Sequence, residues 1–354
     1  MTTENSVWNA YVLPIIIKTV IYTFTTIYST LFLLTLLYNA IRKGYADIFK
    51  VKTRELPPKC LNDPVYGEHH YVQIKNIRLH YVEAGDKEKP LIVFVHGFPD
   101  FWYSWRHQIK EFSKDFRTIA IDLRGYGDSE KPGGKTQYGV HHIVEDVKNL
   151  LDTLEVEKCI LIGHDWGGVA AWSFAQKYPE KLIKYVVLNA PEQSIFWKYI
   201  MSSFDQFKRS WYIFFFQAPC LPEMAIRMKD LKVFEKMCIS KDGVSFATEE
   251  DVEAYKFTFG KPGALTPPIN YYRAIKLDSS GRTRRTDRGP ITIPGLMIIS
   301  DNDVALSKEL LQMSAKKIGG ENMKTVMVNN AGHFVQHEKS AEVNKAISDF
   351  IRNV

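Results

Sequence analysis

The sequence predicts an α/β fold with a mostly parallel sheet, helices on both of its faces, a helical lid insertion and an N-terminal transmembrane helix. Short apolar runs of strand length alternate with amphipathic helical segments, which is typical of a parallel, doubly wound sheet. The alternation stops near Gln193 and resumes after Arg288, which indicates an insertion. A long apolar segment precedes the whole pattern, and the 354 residues are enough for one large domain with these additions.

Residues 11–40 are apolar or hydroxylic almost throughout, and Lys18 is their only charge. About 20 helical residues cross the roughly 30 Å hydrocarbon layer, so residues 20–38 are long enough to span it. A cleaved signal peptide is shorter and begins with a cationic cluster, which the first residues here do not have. We therefore predict a retained anchor. The Thr and Tyr content also permits an interfacial or re-entrant helix.

Basic residues follow the anchor, whereas the segment before it is nearly neutral. These basic residues are Arg42, Lys43, Lys50, Lys52 and Arg54. The positive-inside tendency predicts that residues 1–55 hold the body on the cytosolic side of a membrane, which we expect to be the endoplasmic reticulum. The four cysteines show no metal or redox spacing, which fits reduced thiols in the cytosol. The net charge of +6 is too small and too dispersed to predict nucleic-acid binding, but it permits contact with an anionic membrane.

A Pro-containing linker, residues 56–67, separates the anchor from the folded body. Alternating apolar and polar residues then predict a hairpin of residues 71–75 and 77–83. The buried strands predicted after the hairpin are residues 91–95, 118–121, 159–162, 185–188, 295–299 and 324–328. The helices predicted between and after these strands are residues 103–114, 140–155, 169–178, 307–318 and 341–351.

The insertion, residues 193–288, is rich in aromatic residues and helical in pattern. We expect it to form a lid over the carboxyl edge of the sheet, where open α/β sheets bind ligands. The lid divides the core into residues 56–192 and 289–354. Residues 211–216 fit either the lid core or an acyl-chain channel. A basic cluster near the end of the lid fits either a solvated loop or a contact with lipid headgroups, and its members are Arg282, Arg284, Arg285 and Arg288.

The segment Gly163-His-Asp-Trp-Gly167 lies between a predicted strand and a predicted helix. This spacing is typical of a nucleophile elbow, in which a strained turn exposes the central side chain above the sheet. The central residue is Asp165. A carboxylate nucleophile that attacks carbon forms an alkyl ester, which suits the opening of a strained ring or the displacement of a halide. The segment also fits a Gly-rich turn in which Asp165 only caps a helix.

Three further features supply partners for Asp165 at the ends of predicted strands. The loop His96-Gly-Phe-Pro99 would offer one backbone N–H to an oxyanion hole, and Trp166, which follows the nucleophile, would offer the second. His333 follows the last strand, and Asp303 follows the strand before it, with Asp301 as a competing acid. The chain order of nucleophile, acid and histidine is that of an α/β-hydrolase triad.

These motifs together resemble the α/β-hydrolase-fold epoxide hydrolases, and the anchor makes the membrane-bound types 3 and 4 the most similar. The segments that resemble the family are His96-Gly-Phe-Pro99, Phe101-Trp-Tyr-Ser-Trp-Arg106, Asp122-Leu-Arg-Gly-Tyr-Gly-Asp-Ser129 and Gly163-His-Asp-Trp-Gly-Gly168. The resemblance covers residues 72–354. One segment departs from the family pattern, because the strand before the acid usually ends in Trp-Gly and here ends in Ile299-Ser300.

The resemblance implies two lid tyrosines that bind the ring oxygen. They would be Tyr212 and Tyr272, the latter in preference to its neighbour Tyr271. The resemblance also implies attack by Asp165 and hydrolysis of the resulting ester by His333 and Asp303. The N–H groups of Phe98 and Trp166 would form the oxyanion hole. The product would be a vicinal diol, and the reaction needs no metal or organic cofactor.

The aromatic lid and the anchor favour a hydrophobic epoxide, such as that of a fatty acid, which can partition from the lipid bilayer. A haloalkane dehalogenase is an alternative, because that class shares the Asp elbow and the triad but lacks the pair of tyrosines. A catalytically silent lipid-binding or scaffold protein on the same fold is another. No nucleic-acid partner is expected, and the sequence makes no prediction of the oligomeric state.

Overall fold

The computed structural model describes residues 13–275 and 291–352, so the basic cluster predicted at residues 282–288 lies outside the described residues. The chain begins with helix α1, Leu13–Lys43, followed by the short helix α2, Tyr45–Phe49. Within α1, Ile15–Arg42 is long and apolar enough to cross a membrane, with a mean hydropathy of 1.7. The sequence therefore predicted this helix correctly, although it ends three residues later than the expected residue 40.

The segment after α2 is bound to the lid by a polar clamp that consists of Arg54, Asp230 and Glu253. The guanidinium of Arg54 donates to Asp230 Oδ2 at 2.7 Å and to Glu253 Oε2 at 2.8 Å. The backbone N–H of Lys52 donates to Asp230 Oδ1 at 2.9 Å. The hydrogen bond from Arg54 holds the pKa of Asp230 at about 2. The juxtamembrane segment is therefore part of the folded body.

The core is an eight-stranded sheet in the order β1-β2-β4-β3-β5-β6-β7-β8. The strands are β1 Glu68–Ile74, β2 Ile77–Ala84, β3 Leu91–Val95, β4 Arg117–Ile121, β5 Cys159–His164, β6 Leu182–Leu188, β7 Gly295–Ser300 and β8 Met323–Val328. The pairs β1·β2 and β2·β4 are antiparallel, and the remaining pairs are parallel. Every residue of β3 and β5 is buried, as expected for central strands covered on both faces.

The helices of the first half of the core are α3 Arg106–Phe112, α4 Val140–Thr153 and α5 Trp166–Lys177. The lid leaves the sheet after β6 as the helices α6 Gln193–Ile200, α7 Phe204–Arg209, α8 Trp211–Phe215, α9 Leu221–Leu231, α10 Val233–Met237, α11 Glu249–Gly260 and α12 Thr266–Arg273. After β7 the helices are α13 Lys308–Ser314, α14 Val335–Glu338 and α15 Ser340–Ile351. Parallel strands of one sheet end at the same edge, so the loops that follow β3, β5, β7 and β8 meet beneath the lid.

Candidate active site

Asp165 occupies a strained turn between β5 and α5. Its backbone has φ +50° and ψ −120°, a region that residues other than glycine rarely adopt. The turn needs glycine on both sides, because a Cβ on Gly163 would lie 2.2 Å from the carbonyl oxygen of Gly167. A Cβ on Gly167 would lie 2.0 Å from the carbonyl oxygen of Val95. Asp165 makes no side-chain capping hydrogen bond to α5, so the alternative of a helix cap is not what this turn provides.

The loop after β3 passes directly against the carboxylate of Asp165. The N–H of Phe98 donates to Asp165 Oδ1 at 2.7 Å. Gly97 permits this approach, because a Cβ there would lie 2.3 Å from Asp165 Cβ. Trp166 is the first residue of α5, and backbone N–H groups in a first helical turn have no intrahelical acceptor. The Phe98 N–H thus contacts the Asp165 carboxylate, and the Trp166 N–H, next to Asp165 in the chain, has no acceptor within the helix.

His333 lies on the loop after β8 and faces Asp165 with one ring nitrogen and Asp303 with the other. Its Nε2 is 3.6 Å from Asp165 Oδ2, and its Nδ1 donates to Asp303 Oδ2 at 2.7 Å. The second carboxylate oxygen of Asp303 accepts from the N–H groups of Ala305 and Leu306. Asp301 is exposed, and its carboxylate accepts from Ala331 N–H on the loop instead. Of the two acids that the sequence left open, Asp303 is therefore the one that contacts the histidine.

Two residues that the sequence analysis missed hold the His333 loop in place. The backbone oxygen of His333 accepts from His164 Nε2 at 2.8 Å and from Asn189 Nδ2 at 2.9 Å. Asn189 also donates to Ser300 Oγ at 2.8 Å, which shows how Ser300 packs where the family usually has Trp-Gly. His164 is the last residue of β5 and Asn189 follows β6, and that position at the carboxyl edge of the sheet was the available signal.

A small cavity of about 60 Å³ lies between Asp165 and the lid. Tyr212 from α8 and Tyr272 from α12 line it together with Asp165. The remaining lining is mostly apolar and includes Trp166, Val169, Pro191, Phe196, Trp197, Ile213, Ile275 and Leu306. The cavity therefore combines one carboxylate with two phenols in an otherwise apolar surrounding, which is typical of a site for a small hydrophobic molecule.

The two cavity tyrosines, Tyr212 and Tyr272, lie next to each other. Their ring centroids are 5.7 Å apart and the ring planes are nearly perpendicular, at 83°. Burial raises the pKa of both hydroxyl groups, so each keeps its proton at neutral pH. Within residues 13–275 and 291–352, the indole N–H of Trp166 interacts with the Tyr272 hydroxyl as a donor, which leaves the phenol proton free to donate. The neighbouring Tyr271 is different, because its hydroxyl donates to the backbone oxygen of Arg124 at 2.8 Å and is thus already used.

The electrostatics of the site couple Asp165 to His333. Burial alone would raise the pKa of Asp165, but hydrogen bonds from His333 and Phe98 and the charge of His333 lower it below its usual value. Burial alone would lower the pKa of His333, but the carboxylates of Asp303 and Asp165 raise it. Asp165 is therefore ionised at neutral pH, as a nucleophile must be, and the basicity of His333 depends on the charge of Asp165.

The chain is similar to known proteins over most of its length. A family model described as the alpha/beta hydrolase fold matches residues 90–340. Human epoxide hydrolase 4 is 38% identical over 341 residues, which cover 94% of this chain and 92% of the human protein. Epoxide hydrolase 3 of Xenopus tropicalis is 35% identical, and the match covers 88% of this chain and 85% of that protein.

Solved structures also match most of the chain. An epoxide hydrolase of Bacillus megaterium in complex with an inhibitor has a TM-score of 0.72 at 32% identity, and the match covers 80% of this chain and 100% of that one. An epoxide hydrolase of Vigna radiata has a TM-score of 0.70 at 29% identity, with 81% of this chain and 98% of that one covered.

Proposed function

The chain belongs to the epoxide hydrolases of the α/β-hydrolase fold, and we propose that it opens hydrophobic epoxides to vicinal diols through an ester on Asp165. The observation that supports this most directly is the pair of protonated tyrosines, Tyr212 and Tyr272, that shares one cavity with an ionised carboxylate. An epoxide oxygen leaves as an alkoxide and needs a proton donor at neutral pH. A halide leaves without a proton donor.

In the first half-reaction, Asp165 attacks the less hindered carbon of the epoxide. The carbon–oxygen bond of the ring breaks, and an ester bond to Asp165 forms. Tyr212 and Tyr272 hydrogen-bond the ring oxygen, and one of them supplies the proton that the alkoxide takes up. This step needs the carboxylate form of Asp165, which is favoured by the lowered pKa of that group.

In the second half-reaction, His333 takes a proton from water and the resulting hydroxide attacks the ester carbonyl. The N–H groups of Phe98 and Trp166 stabilise the oxyanion, and Asp303 stabilises the imidazolium of His333. Collapse of the intermediate releases the diol and regenerates Asp165 with one oxygen from water. The proton held by His333 then returns to the tyrosinate left by the first half-reaction, which restores the enzyme. Ester formation has removed the charge of Asp165, which is one of the causes that raise the pKa of His333, so His333 loses its proton more readily at this stage.

A hydrophobic substrate, such as a fatty-acid epoxide, is favoured by the apolar cavity lining and by the anchor. Helix α1 would hold the enzyme on the bilayer, in the endoplasmic reticulum with the body in the cytosol. The basic residues from Arg42 to Arg54 support this orientation, because Lys and Arg accumulate on the cytosolic side.

The proposed function is tested with membranes that contain the full-length chain. They are incubated separately with a hydrophobic epoxide and with a haloalkane of similar size, and diol and halide are measured. Diol from the epoxide is the expected result. Halide release without diol would instead favour the dehalogenase alternative, and neither product would favour a silent binding protein.

A further inference from the structure

One face of the anchor helix α1 packs against the lid. Half-buried positions recur along α1 every three or four residues, as on one side of a helix. The aromatic residues on this side contact aromatic residues of α7 and α8. The pairs and the distances between their ring centroids are Phe24–Phe207 (4.9 Å), Phe24–Phe214 (5.5 Å), Tyr28–Trp211 (5.9 Å) and Phe32–Phe215 (5.3 Å). Thr25 Oγ1 also donates to the backbone oxygen of Phe214 at 2.9 Å. The lid is thus docked on the anchor.

The docked part of α1 is the middle of the helix, far from its basic end. At about 1.5 Å per residue, Phe32 lies about 15 Å along the axis from Arg42, and Phe24 lies about 27 Å from it. A hydrocarbon layer is only about 30 Å thick. An upright α1 would carry α7 and its charged residues Asp205, Lys208 and Arg209 deep into the hydrocarbon, which is costly. The docked α1 therefore lies at a shallow angle to the bilayer, and the lid helices that contact residues 24–32 are held at the lipid surface beside it.

The lid exposes apolar side chains in the same region. Met201, Phe204 and Trp211, which we call the apolar lid patch, are 73%, 78% and 47% exposed. Phe204 begins α7 and Trp211 begins α8, the two helices that contact α1. Large apolar side chains grouped in this way on a protein surface indicate a contact with another apolar phase.

Cationic side chains flank the apolar lid patch. Lys198 and Lys208 are exposed, and neither forms an ion pair within the described residues. The acidic residue between them, Asp205, is paired with Arg209 at 2.7 Å. Apolar tips flanked by lysines suit the boundary between acyl chains and anionic headgroups.

We propose that the apolar lid patch enters the bilayer beside α1, with Met201 and Phe204 among the acyl chains and Lys198 and Lys208 at anionic headgroups. Lid and anchor then form one membrane-contacting surface. The side chains that are exposed in the isolated chain are covered by lipid, which removes their apolar area from water.

The contact would also deliver the substrate, and this part depends on the proposed function. Helix α6 provides Phe196 and Trp197 to the wall of the catalytic cavity and ends at Ile200, directly before Met201. One short helix therefore connects the wall of the cavity to the patch in the lipid. An epoxide dissolved in the acyl chains would enter from the bilayer without crossing water.

Spin labels on the full-length chain in phosphatidylcholine and phosphatidylserine vesicles test the contact. Cys60 and Cys220 are first replaced by Ser, since Cys159 and Cys238 are buried. Single labels are then placed at position 204 (Phe204→Cys), at position 34 on the outward face of α1 (Leu34→Cys), and at position 244 (Val244→Cys). Val244 is an equally suitable surface site of the lid, 63% exposed, to which we assign no lipid contact.

The label at position 204 should be more accessible to oxygen than to a water-soluble nickel chelate, as at position 34. The label at position 244 should show the reverse. If position 204 behaves as position 244 does, the patch is in water and the proposed contact is refuted.

Substrate delivery is tested with the double variant Met201→Ser, Phe204→Ser, and Val244→Ser is the matched control. The double variant should raise the apparent KM for an epoxide dissolved in vesicles by about three- to tenfold, because two apolar contacts with lipid are lost. Its kcat/KM for a small water-soluble epoxide should be unchanged. An equal loss on both substrates, or no change on either, would refute delivery through the patch. Absence of turnover in the unchanged protein would refute the proposed function, while the spin-label result would still decide the contact.

Discussion

At the residue scale, the sequence identified the candidate site because its residues stand at strand ends in a fixed order. Asp165, Asp303 and His333 are far apart in the chain, yet the structure brings them within contact distance. The choice between Asp303 and Asp301 could not be made from the sequence, since both lie on one loop and differ only in the direction of their side chains. His164 and Asn189 were missed because they bind a backbone oxygen, and such contacts leave no motif.

The proposed mechanism needs His333 as a base only in the second half-reaction, so His333→Gln should form the ester and fail to hydrolyse it. One equivalent of epoxide should remain on the peptide that contains Asp165, visible as a mass increase. Without His333, burial raises the pKa of Asp165, and alkylation is lost as the pH falls through that raised value. The variant is therefore assayed at alkaline pH.

The unchanged enzyme provides the control in oxygen-18 water. In a single turnover the label should enter Asp165 and not the diol, because the diol keeps the carboxylate oxygen that attacked. Label in the diol of the first turnover would mean direct attack by water and no ester.

The proposed function makes the tyrosine pair the proton donor to the epoxide oxygen, so its removal should slow ester formation specifically. Positioned acids contribute on the order of 10² to 10⁴ in rate. We expect Tyr212→Phe or Tyr272→Phe to slow alkylation roughly ten- to a thousandfold, and the double variant nearly to abolish it, since no donor remains. The measurement is single-turnover alkylation in the His333→Gln background.

Tyr271→Phe is the matched control for this pair. Its hydroxyl is bound to the backbone oxygen of Arg124, so its loss should reduce stability and leave alkylation close to normal. Unchanged alkylation in the double variant of Tyr212 and Tyr272 would remove the role proposed for them and restore the dehalogenase alternative.

At the scale of elements, continuous apolar runs were predicted well and boundaries set by packing were not. Strand β3 was predicted with its observed ends because all its residues are apolar and buried. Strand β6 begins three residues before the predicted start, since Ile183 and Lys184 are only partly buried and blur the pattern. Helix α5 begins at Trp166 rather than at residue 169, because Gly167 and Gly168, which disfavour helix by themselves, pack against Val95 and Ala190.

The elbow depends on this glycine packing, so Gly167→Ala should disrupt it. The added Cβ would lie 2.0 Å from the Val95 oxygen, which is rigid backbone. We expect a loss of more than about 2 kcal/mol in the free energy of unfolding. The measurement is thermal unfolding in detergent followed by circular dichroism.

Gly260→Ala is the control, because among the described residues the Cβ there would meet only Leu231 Cδ1, at an ordinary 3.5 Å. The midpoint of thermal unfolding of this variant should change little. Equal midpoints for the two variants would show that the elbow tolerates a side chain and that its glycines are not required by packing.

At the scale of the whole molecule, the sequence predicted an anchor, a core and a lid but not how the anchor meets the rest. The Pro-containing linker predicted that the anchor is separated from the folded body. Residues 59–66 instead form two 3-10 turns, and Leu61 is buried in the core. The contact between α1 and the lid could not be predicted, because an apolar helix shows which residues face away from water but not whether lipid or protein covers them.

Orientation in the membrane is tested with sealed microsomes that contain the full-length chain. The basic residues after α1 predict that the body faces outward, so added protease should digest it without detergent. A lumenal marker protein should remain intact in the same sample. Protection of the body until detergent is added would place it in the lumen and reverse the proposed orientation.

The polar clamp formed by Arg54, Asp230 and Glu253 determines where the gene can be shortened for crystallisation. A fragment that begins at Leu56 would remove Arg54 and leave both carboxylates on the lid without their guanidinium partner. A start at Lys50 keeps the clamp, including the hydrogen bond from Asp230 N–H to the backbone oxygen of Lys50. Even that fragment lacks α1 and would expose the rings of Phe207, Phe214 and Phe215. These three residues should therefore be replaced by polar residues in the same fragment.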